Sequence, residues 1–478
     1  MTTWSEPAMS VKRRSSAGND QATKRRKRLN GFVGGALLLL LALAPLPFGA
    51  VHAFTWGVFG LGLGLLGIVY SVGLARIGIG PNVSPAELPW ATGAFALYCL
   101  FLVLQLLPLG AIAPSLTAFW ANGMEFSSST ISVAANQTAL MLLRHLTYGL
   151  LFFLMLQASQ NPTRREFVLN AILLIIMGYC LLGIVSLQSG DTVLGLNKTS
   201  YMGSATGPFV NRNSYATYLA IGAMIALVKA GRVLVRQASR HSHDGMVPDT
   251  ITKTLLYATG YLLLVGVIFA TNSRMGIVVT MVGSILILVI LATRLGSAWR
   301  LLLPVAAVLL VATALAVFLF GESVLARLID DSSSSVTRID LYQQTWQLIW
   351  QRPWLGFGGG AFEQAFAWAA HAPVGPDLRW DRAHNTYLSL WSEMGLIVGS
   401  LPVVLFIALA VRLVAALVRQ SDDWAFQAIG LSVLVVVGLH SLVDFSLEIQ
   451  ANALLFTAVM AVAVGSTLPA AERRSKAN

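Results

Sequence analysis

The sequence has 478 residues, of which 56% are hydrophobic and only 11% are charged, and its formal net charge is +11. A soluble globular domain carries about a quarter charged residues, and the mean hydropathy here is +0.71. Apolar runs of about 20 residues recur along the chain, each long enough to cross ~30 Å of hydrocarbon. The composition therefore excludes an ordinary soluble domain, and the length of the runs excludes a β-barrel, whose strands are short and alternating.

A basic segment begins the chain. Residues 1–28 hold eight of the 32 Lys and Arg residues, including the run TKRRKR, among Ser, Asn, Gln and Ala. This composition predicts a disordered cytoplasmic tail that sets topology or contacts anionic lipid. No folded basic domain follows that would favour nucleic-acid binding. The apolar run Leu29–Leu46 resembles a signal peptide, but we expect it to remain as the first span.

Hydropathy predicts an all-α, polytopic membrane protein with about twelve transmembrane helices. The spans fall near residues 30–47, 53–73, 90–108, 140–157, 167–187, 212–230, 254–271, 275–293, 301–320, 385–412, 425–443 and 451–467. Both cysteines, Cys99 and Cys180, lie within these apolar runs. They are predicted to be packing residues, so the sequence offers neither a disulfide framework nor a Cys-based metal site.

The distribution of cations orients the chain in the membrane. If the N-terminus is cytoplasmic, most of the 32 Lys and Arg residues lie in the inner loops and tails, and nine lie outside. The positive-inside rule therefore predicts that both termini are cytoplasmic. The predicted organisation is a basic tail at 1–28, nine spans within 29–320, a large outer loop at 321–384, three spans within 385–467 and a tail at 468–478.

The large outer loop contains a segment with helical periodicity, RIDLYQQTWQLIWQRPW. It predicts an interfacial helix from Arg338 to Pro353 in the outer headgroup layer. Its expected apolar face is Ile339, Tyr342, Trp346 and Ile349, and its expected polar face is Asp340, Gln343, Gln344 and Gln347. The following GFGGG at 356–360 lacks the Gly-Lys-Ser/Thr of a phosphate loop, so we expect a flexible turn.

The outer cations are predominantly arginines, whose planar guanidinium binds phosphate through two parallel hydrogen bonds. A single cation at a helix end is commonly a snorkelling anchor, but the positive-inside rule disfavours a set of this size on the outer side. A shared anionic ligand at the outer leaflet explains the set better. Its members are Arg144, Lys198, Arg212, Arg274, Arg327, Arg338, Arg352, Arg379 and Arg382.

Three further ionisable residues are candidates near the outer face. His384 stands between Arg382 and Asn385 at the entrance of the tenth span, and the ordinary pKa of histidine, about 6.5, suits a proton acceptor. Glu393 is predicted nine residues into the same helix, where an acid needs a partner or a proton. Asp444 closes the eleventh span at the level of the arginines, and a structural Asp–Arg pair is the alternative to a role in the site.

Several stretches together resemble the O-antigen ligase and polysaccharide polymerase family of bacterial membrane glycosyltransferases. They are PLPFGAVHAFTWG, GPFVNRNSYATYL, TNSRMG, PWLGFGGGAF, RAHNTYLSLWSEMG and HSLVDFSLE, and they are distributed over nearly the whole chain. His384 and Gly395 fit the His and Gly that ligases of this family carry with ten residues between them. One motif differs, because the ligases also show an Arg, three residues and a Leu, whereas Leu341 follows Arg338 one position early.

The resemblance implies a metal-independent glycosyl transfer at the periplasmic face of the bacterial inner membrane, with no cofactor. The donor would be a glycan on undecaprenyl diphosphate, and the acceptor would be a sugar hydroxyl on lipid A-core or on another lipid-linked repeat. His384 would be the general base of an inverting displacement. The residues expected to bind the diphosphate or the glycan are Arg338, Arg274, Arg212, Arg144, Arg382, Asn385, Asn213 and Asp444.

A transporter or flippase of a lipid-linked glycan is the alternative function. Twelve spans is also a transporter number, and Glu393 is a polar residue within a predicted span. Transporters, however, place their polar groups near the bilayer midplane and in repeated halves, whereas the polar residues here cluster at one face. The sequence leaves open whether a transferase of this kind is a ligase or a polymerase, and which glycan it moves.

Overall fold

The computed structural model describes residues 8–121, 123–239, 248–303, 332–372, 374, 379–419 and 422–469. Within them eight helices are long and apolar enough to cross a membrane: α2 (Ala53–Ile77), α3 (Pro89–Leu106), α5 (Ala135–Ala158), α6 (Pro162–Gln188), α7 (Arg212–Ala238), α8 (Pro248–Ala270), α9 (Arg274–Leu295) and α13 (Leu401–Val418). Two shorter apolar helices follow, α14 (Trp424–His440) and α15 (Gln450–Gly465). The chain is thus mostly helical, and most of the predicted span at 301–320 lies outside the described residues.

The N-terminal helix α1 (Ala8–Leu43) is longer than the sequence predicted. Residues 8–28 were expected to be disordered, and they continue the helix that contains the first predicted span. Ala, Met, Lys, Arg and Gln have high helix propensity, and extending an existing helix requires no new nucleus. The inner part of α1 is also tied down, because Arg26 donates to the carbonyl of Gly80 at 3.3 Å and Arg164 donates to the carbonyl of Lys27.

Helix α7 is the centre of the bundle: in its most apolar stretch of 18 residues, 89% of the residues are buried. It packs against α6, α8, α9 and α14. Small residues permit this close packing: a side chain added at Gly231 would collide with Leu291 of α9, and one at Gly222 would collide with Ile176 of α6. The packing of this central helix fixes the position of its first turn. The helix begins there at Arg212, a residue of the GPFVNRNSYATYL stretch.

A layer at one end of the bundle, named the outer layer after the predicted outer loop that supplies part of it, has its own apolar core. It consists of α4 (Pro114–Thr117), an antiparallel hairpin of β1 (Ala118–Ala121) and β2 (Met124–Ser127), α10 (Ser332–Gln351), α11 (Phe362–Ala369) and α12 (Thr386–Gly399). A second small hairpin pairs β3 (Thr192–Val193) with β4 (Leu196–Asn197). The buried residues of the outer layer include Phe119, Leu341, Leu348, Phe357 and Phe366.

The amphipathic helix predicted in the large outer loop is present as α10, but its faces differ from the prediction. Gln344, expected on the polar face, is 5% exposed, whereas Ile339 and Trp346, expected on the apolar face, are 56% and 41% exposed. Gln344 can be buried because its amide is satisfied: Nε2 donates to the carbonyl of His371 at 2.7 Å, and Oε1 accepts from the amide of His371 at 3.1 Å. The periodicity predicted the helix correctly, but hydrogen bonds to the backbone of His371 allow a different face to be buried.

The predicted continuous span at 385–412 is wrong, because the helix breaks at Gly395. This residue has φ 71° and ψ 167°, a conformation that L side chains avoid. The break frees the amide of Leu396, which donates to the carbonyl of Pro353 at 2.7 Å. Helix α13 alone is about 27 Å long by helical rise and nearly spans the hydrocarbon. We therefore place α12 in the outer layer, where the amide of Thr386 donates to Ser441 at the outer end of α14.

The GFGGG segment is not a flexible turn, because it is packed into this break. The amides of Phe357 and Gly358 donate to the carbonyls of Ser392 and Glu393, each at 2.9 Å. Gln105 of α3 locks the same segment: its Nε2 donates to the carbonyl of Glu393 and its Oε1 accepts from the amide of Gly359. The glycines allow backbone to lie directly against backbone. They join the outer layer to the bundle.

Glu393 belongs to this junction between the outer layer and the bundle. Its carbonyl accepts the hydrogen bonds just described, and its carboxyl lies against the backbone amides of Gly360 and Phe362. The side chain is therefore buried near polar backbone groups at the start of α11. Backbone amides at a helix N-terminus are favourable partners for an acid.

Candidate active site

The backbone of His384 is held in an uncommon conformation directly before α12. Its φ is 52°, in the left-handed region that residues other than glycine rarely occupy. Two neighbours secure it. The hydroxyl of Tyr342 on α10 donates to the His384 carbonyl at 2.9 Å, and Asn385 caps α12 by accepting from the amides of Tyr387 and Leu388. A non-glycine residue at positive φ is a common feature of functional sites.

The imidazole of His384 has one enclosed nitrogen. Nδ1 is buried and has no hydrogen-bond partner among the described residues, and the ring lies edge-on to Trp380 at 5.7 Å and to Phe445 at 5.0 Å. Burial, reinforced by the positive charge of Arg338, lowers the pKa of His384 below its ordinary value. The ring is therefore neutral at neutral pH, and Nε2 is the nitrogen available to accept a proton.

Asp444 lies at the centre of a hydrogen-bond network beside the histidine. One carboxylate oxygen accepts from Nδ2 of Asn213 at 3.1 Å, and the other accepts from the hydroxyl of Ser446. Its carbonyl accepts from the hydroxyl of Thr386 at 3.2 Å. Asp444 is 1% exposed. The predicted residues Asn213 and Asp444 thus join the first turn of α7 to the turn after α14, and they fix the wall of the site near His384.

Two of the predicted arginines are engaged with Glu448. Arg382 donates from Nη1 to Oε2 of Glu448 at 2.6 Å, and Arg144 donates to the Glu448 carbonyl. Arg144 is 2% exposed, and its guanidinium lies 4.2 Å from the centre of the Trp56 ring. Both cations therefore hold the turn Ser446–Glu448 in place. Lys198 is also engaged, because it donates to Asp191 at 2.5 Å and to the carbonyl of Ser204.

Arg338 differs from those two arginines. It is exposed on α10, one turn before Tyr342, and within the described part of the chain no hydrogen bond or ion pair engages it. Its charge acts on both His384 and Tyr342. An exposed guanidinium beside a neutral imidazole is suited to an anion that reaches both groups.

Arg212 and Arg274 occupy the first turns of two adjacent helices. Arg212 begins α7 with its guanidinium 5.1 Å from the centre of the Tyr201 ring, and Arg274 begins α9. The two turns are in close contact, because a side chain added at Gly276 would meet the methyl group of Ala216. The structure therefore brings these two predicted residues to the same end of the bundle as Asn213 and Asp444.

A long cleft with a volume of about 470 Å³ begins beside the site. Its outer end is lined by Thr386, Ser389, Ser441 and Glu448, and its inner end by Val83, Ser84, Pro85 and Leu88. Apolar residues of α3, α5, α13 and α15 form the walls between these ends, including Phe95, Phe152, Leu405, Leu409, Phe456 and Met460. The cleft is thus an apolar passage, with polar groups at the end near His384.

Sequence reasoning missed three residues that the structure places at the site or its cleft. The sequence predicts Tyr342 only as part of an apolar helix face, and it predicts no role for Glu448, the last residue of HSLVDFSLE. His145 was overlooked, although it follows Arg144 directly; it lines the cleft with its ring 4.8 Å from that of Tyr98. Position within a quoted motif was a usable signal for Glu448. No local signal marked the contact between Tyr342 and His384.

Comparison with known proteins supports the family resemblance. Residues 259–403 match the family described as O-Antigen ligase, a stretch that includes Arg274, Arg338, His384 and Gly395. No curated protein matches the sequence. Within the match lie the exposed arginine, the histidine with one free nitrogen and the broken helix that positions it. Over residues 259–403 the chain is therefore similar to the O-antigen ligase family.

Proposed function

We propose that this protein transfers a glycan from undecaprenyl diphosphate to a sugar hydroxyl at the periplasmic face of the inner membrane. The observation that carries the proposal is the position of His384. A neutral imidazole lies near an exposed arginine that has no ion pair among the described residues, and it stands two residues before Thr386, which lines one end of a long apolar cleft. A base, an anion-binding group and a lipid-sized cleft are the parts that such a transfer needs.

The proposed reaction is a single displacement at the anomeric carbon. Nε2 of His384 takes the proton of the acceptor hydroxyl while that oxygen forms the new bond to the anomeric carbon. The bond from the anomeric carbon to the diphosphate oxygen breaks, and its electron pair leaves with undecaprenyl diphosphate. Because attack and departure occur on opposite faces of the carbon, the configuration inverts.

Arginines would stabilise the charge that grows on the departing diphosphate. Arg338 is the first candidate, because it is exposed, lacks an ion pair in the described chain and acts electrostatically on His384. Arg274 and Arg212 are the second candidates, since they begin adjacent helices at the same end of the bundle. Arg144 and Arg382 would act indirectly, by holding the turn that carries Glu448.

The apolar cleft would take the undecaprenyl chain. The wall residues from Met141 to Leu156 on α5 cover about 22 Å by helical rise, which is most of the hydrocarbon thickness. A chain that leaves the cleft past Thr386 would carry its diphosphate out of the cleft toward His384 and Arg338, away from Glu448. The outer layer would then cover the sugars.

Reconstituted protein with purified lipid-linked donor and acceptor tests the proposal. His384→Ala should lower glycan transfer by about 10²- to 10⁴-fold, the usual contribution of a general base, with unchanged expression and thermal stability. His371→Ala, a second outer histidine outside the site, is the control and should retain transfer. Full transfer by His384→Ala would remove the general-base assignment.

A transporter of a lipid-linked glycan is the competing function, and the same vesicles distinguish it. An enzyme releases undecaprenyl diphosphate and a longer or relocated glycan, whereas a flippase changes only the leaflet of an intact donor. Donor that moves between leaflets without release of the diphosphate would favour the transporter. Glu393, the residue that favours transport, lies at a backbone junction and also lines the cleft, so the vesicle measurement decides between the two functions.

A further inference from the structure

The polar end of the cleft contains two buried groups that the proposed mechanism does not use. The carboxylate of Glu448 accepts a hydrogen bond from Arg382 at Oε2, but its Oε1 is enclosed without a partner among the described residues. The hydroxyl of Ser389 on α12 is also buried without a partner, and that residue is 5% exposed. Both residues line the cleft. Buried polar atoms are nearly always paired, so two unpaired atoms at one end of a cavity indicate a ligand that completes their hydrogen bonds.

The chemistry of the two groups selects the class of ligand. A carboxylate only accepts hydrogen bonds, so a group that faces Oε1 must donate one. A phosphate has the opposite character, because it is an anion and an acceptor and would be repelled by Glu448. A hydroxyl both donates and accepts, and it can therefore pair with Oε1 and with the hydroxyl of Ser389. We propose that Glu448 and Ser389 bind hydroxyl groups of a sugar at the outer end of the cleft.

The position of Glu448 separates this role from that of His384. The ring of Phe445 is near both His384 and Arg382: the imidazole is 5.0 Å from its centre, and the guanidinium is 5.8 Å from its centre. Glu448 accepts a hydrogen bond from that guanidinium and lines the cleft, whereas His384 is not one of the described residues that line it. In this proposal Glu448 binds hydroxyl groups other than the one that reacts, and it sets which sugar fits. The site has a phosphate side at Arg338, a reacting centre at His384 and a hydroxyl side at Glu448.

This inference rests on the proposed glycosyl transfer, and the sugar concerned belongs either to the acceptor or to the donor. Transfer kinetics with Glu448→Gln distinguish the two, when donor and acceptor are varied separately. The variant keeps the size of the side chain and removes its charge. We expect the KM for one of the two substrates to rise about tenfold to a hundredfold, the effect of losing a charged hydrogen bond, while kcat stays within about threefold. The substrate whose KM rises is the one that carries the bound sugar.

Two further variants complete the experiment. Glu363→Gln is the matched control, because Glu363 is also paired with an arginine, Arg379, in the outer layer but lies outside the cleft; its KM values should equal those of the wild type. Ser389→Ala should raise the same KM as Glu448→Gln by a smaller factor, and it tests the site independently should Glu448→Gln unfold. KM values within about threefold of the wild type for both cleft variants would overturn the inference.

A direct binding measurement keeps this result separate from the proposed function. The probe is the phosphate-free oligosaccharide released from the donor by mild acid, and saturation-transfer NMR reports its contact with the protein. Binding by the wild type that is lost in Glu448→Gln supports the sugar site even where transfer is absent, in which case the transferase proposal alone fails. The sugar site alone would be overturned by a wild type that transfers glycan but binds the oligosaccharide no better than Glu448→Gln does. That outcome includes the case in which neither protein binds it.

Discussion

Replacing Tyr342 by Phe removes one hydroxyl that touches no substrate and tests whether the conformation of His384 matters. The hydroxyl donates to the His384 carbonyl at 2.9 Å, while the residue holds φ 52°. A left-handed conformation costs a residue other than glycine about 1–2 kcal/mol, and one hydrogen bond offsets about 0.5–1.5 kcal/mol of it. A change of 1.4 kcal/mol alters the population of a conformation tenfold. Losing this hydrogen bond should therefore lower the population of the left-handed His384, and with it kcat, roughly two- to tenfold.

The assay is glycan transfer by the reconstituted variant, with kcat and the donor KM measured separately. The donor KM should be nearly unchanged, because Tyr342→Phe leaves Arg338 in place. Tyr179→Phe is the matched control, since that hydroxyl also donates to a backbone carbonyl, at Ala42, far from the site. Equal kcat values for Tyr342→Phe and the wild type would refute the idea that this hydrogen bond holds the base in position.

The transfer rate should be constant above the pKa of His384 and fall as the pH drops through it, because only the neutral imidazole accepts a proton. The midpoint of this fall, the acidic limb of the pH profile, should lie below the ordinary value of about 6.5, because burial and Arg338 both lower the pKa of His384. Arg338→Ala should move the limb to higher pH and raise the donor KM about tenfold or more; a limb that stays in place would show that Arg338 does not act on the histidine. Gly395→Ala should destabilise the protein by at least about 1–3 kcal/mol, because the new methyl group would collide with the Trp354 carbonyl at positive φ. Gly178→Ala, where a methyl group meets open space, is the control, and equal thermal unfolding temperatures of the two variants would contradict the break at Gly395.

Hydropathy predicted most of the spans because lipid-facing and protein-facing helices share one requirement, a long apolar run. Helix α6 was predicted at 167–187 and is found at Pro162–Gln188, and α7 was predicted at 212–230 and extends to Ala238. Hydropathy failed at 385–412, because an apolar run has the same hydropathy whether its neighbours are lipid or protein. The interruption there depends on the backbone of one glycine and on a segment that arrives from Pro353.

The site was predicted in its residue types better than in its contacts. His384 was identified from its position at a helix entrance and its two polar neighbours, and its role stays a prediction; in the structure the charge of Arg338 acts on it. The sequence ranked Arg338, Arg274 and Arg212 ahead of Arg144 and Arg382, but it could not give their contacts, because the partners are distant in the chain. Arg144 reaches a carbonyl 304 residues away, and Arg382 reaches a carboxylate 66 residues away.

The break at Gly395 connects this glycine to the site, although it lies eleven residues after His384. Gly395 lets the chain leave its helical path, and the amides of Phe357 and Gly358 then bond to the exposed carbonyls of Ser392 and Glu393. That contact anchors the chain segment that follows α10, and α10 carries both Arg338 and Tyr342. The glycine therefore positions the arginine and the tyrosine against the histidine from the opposite end of α12. Its role at the site is indirect, through α10.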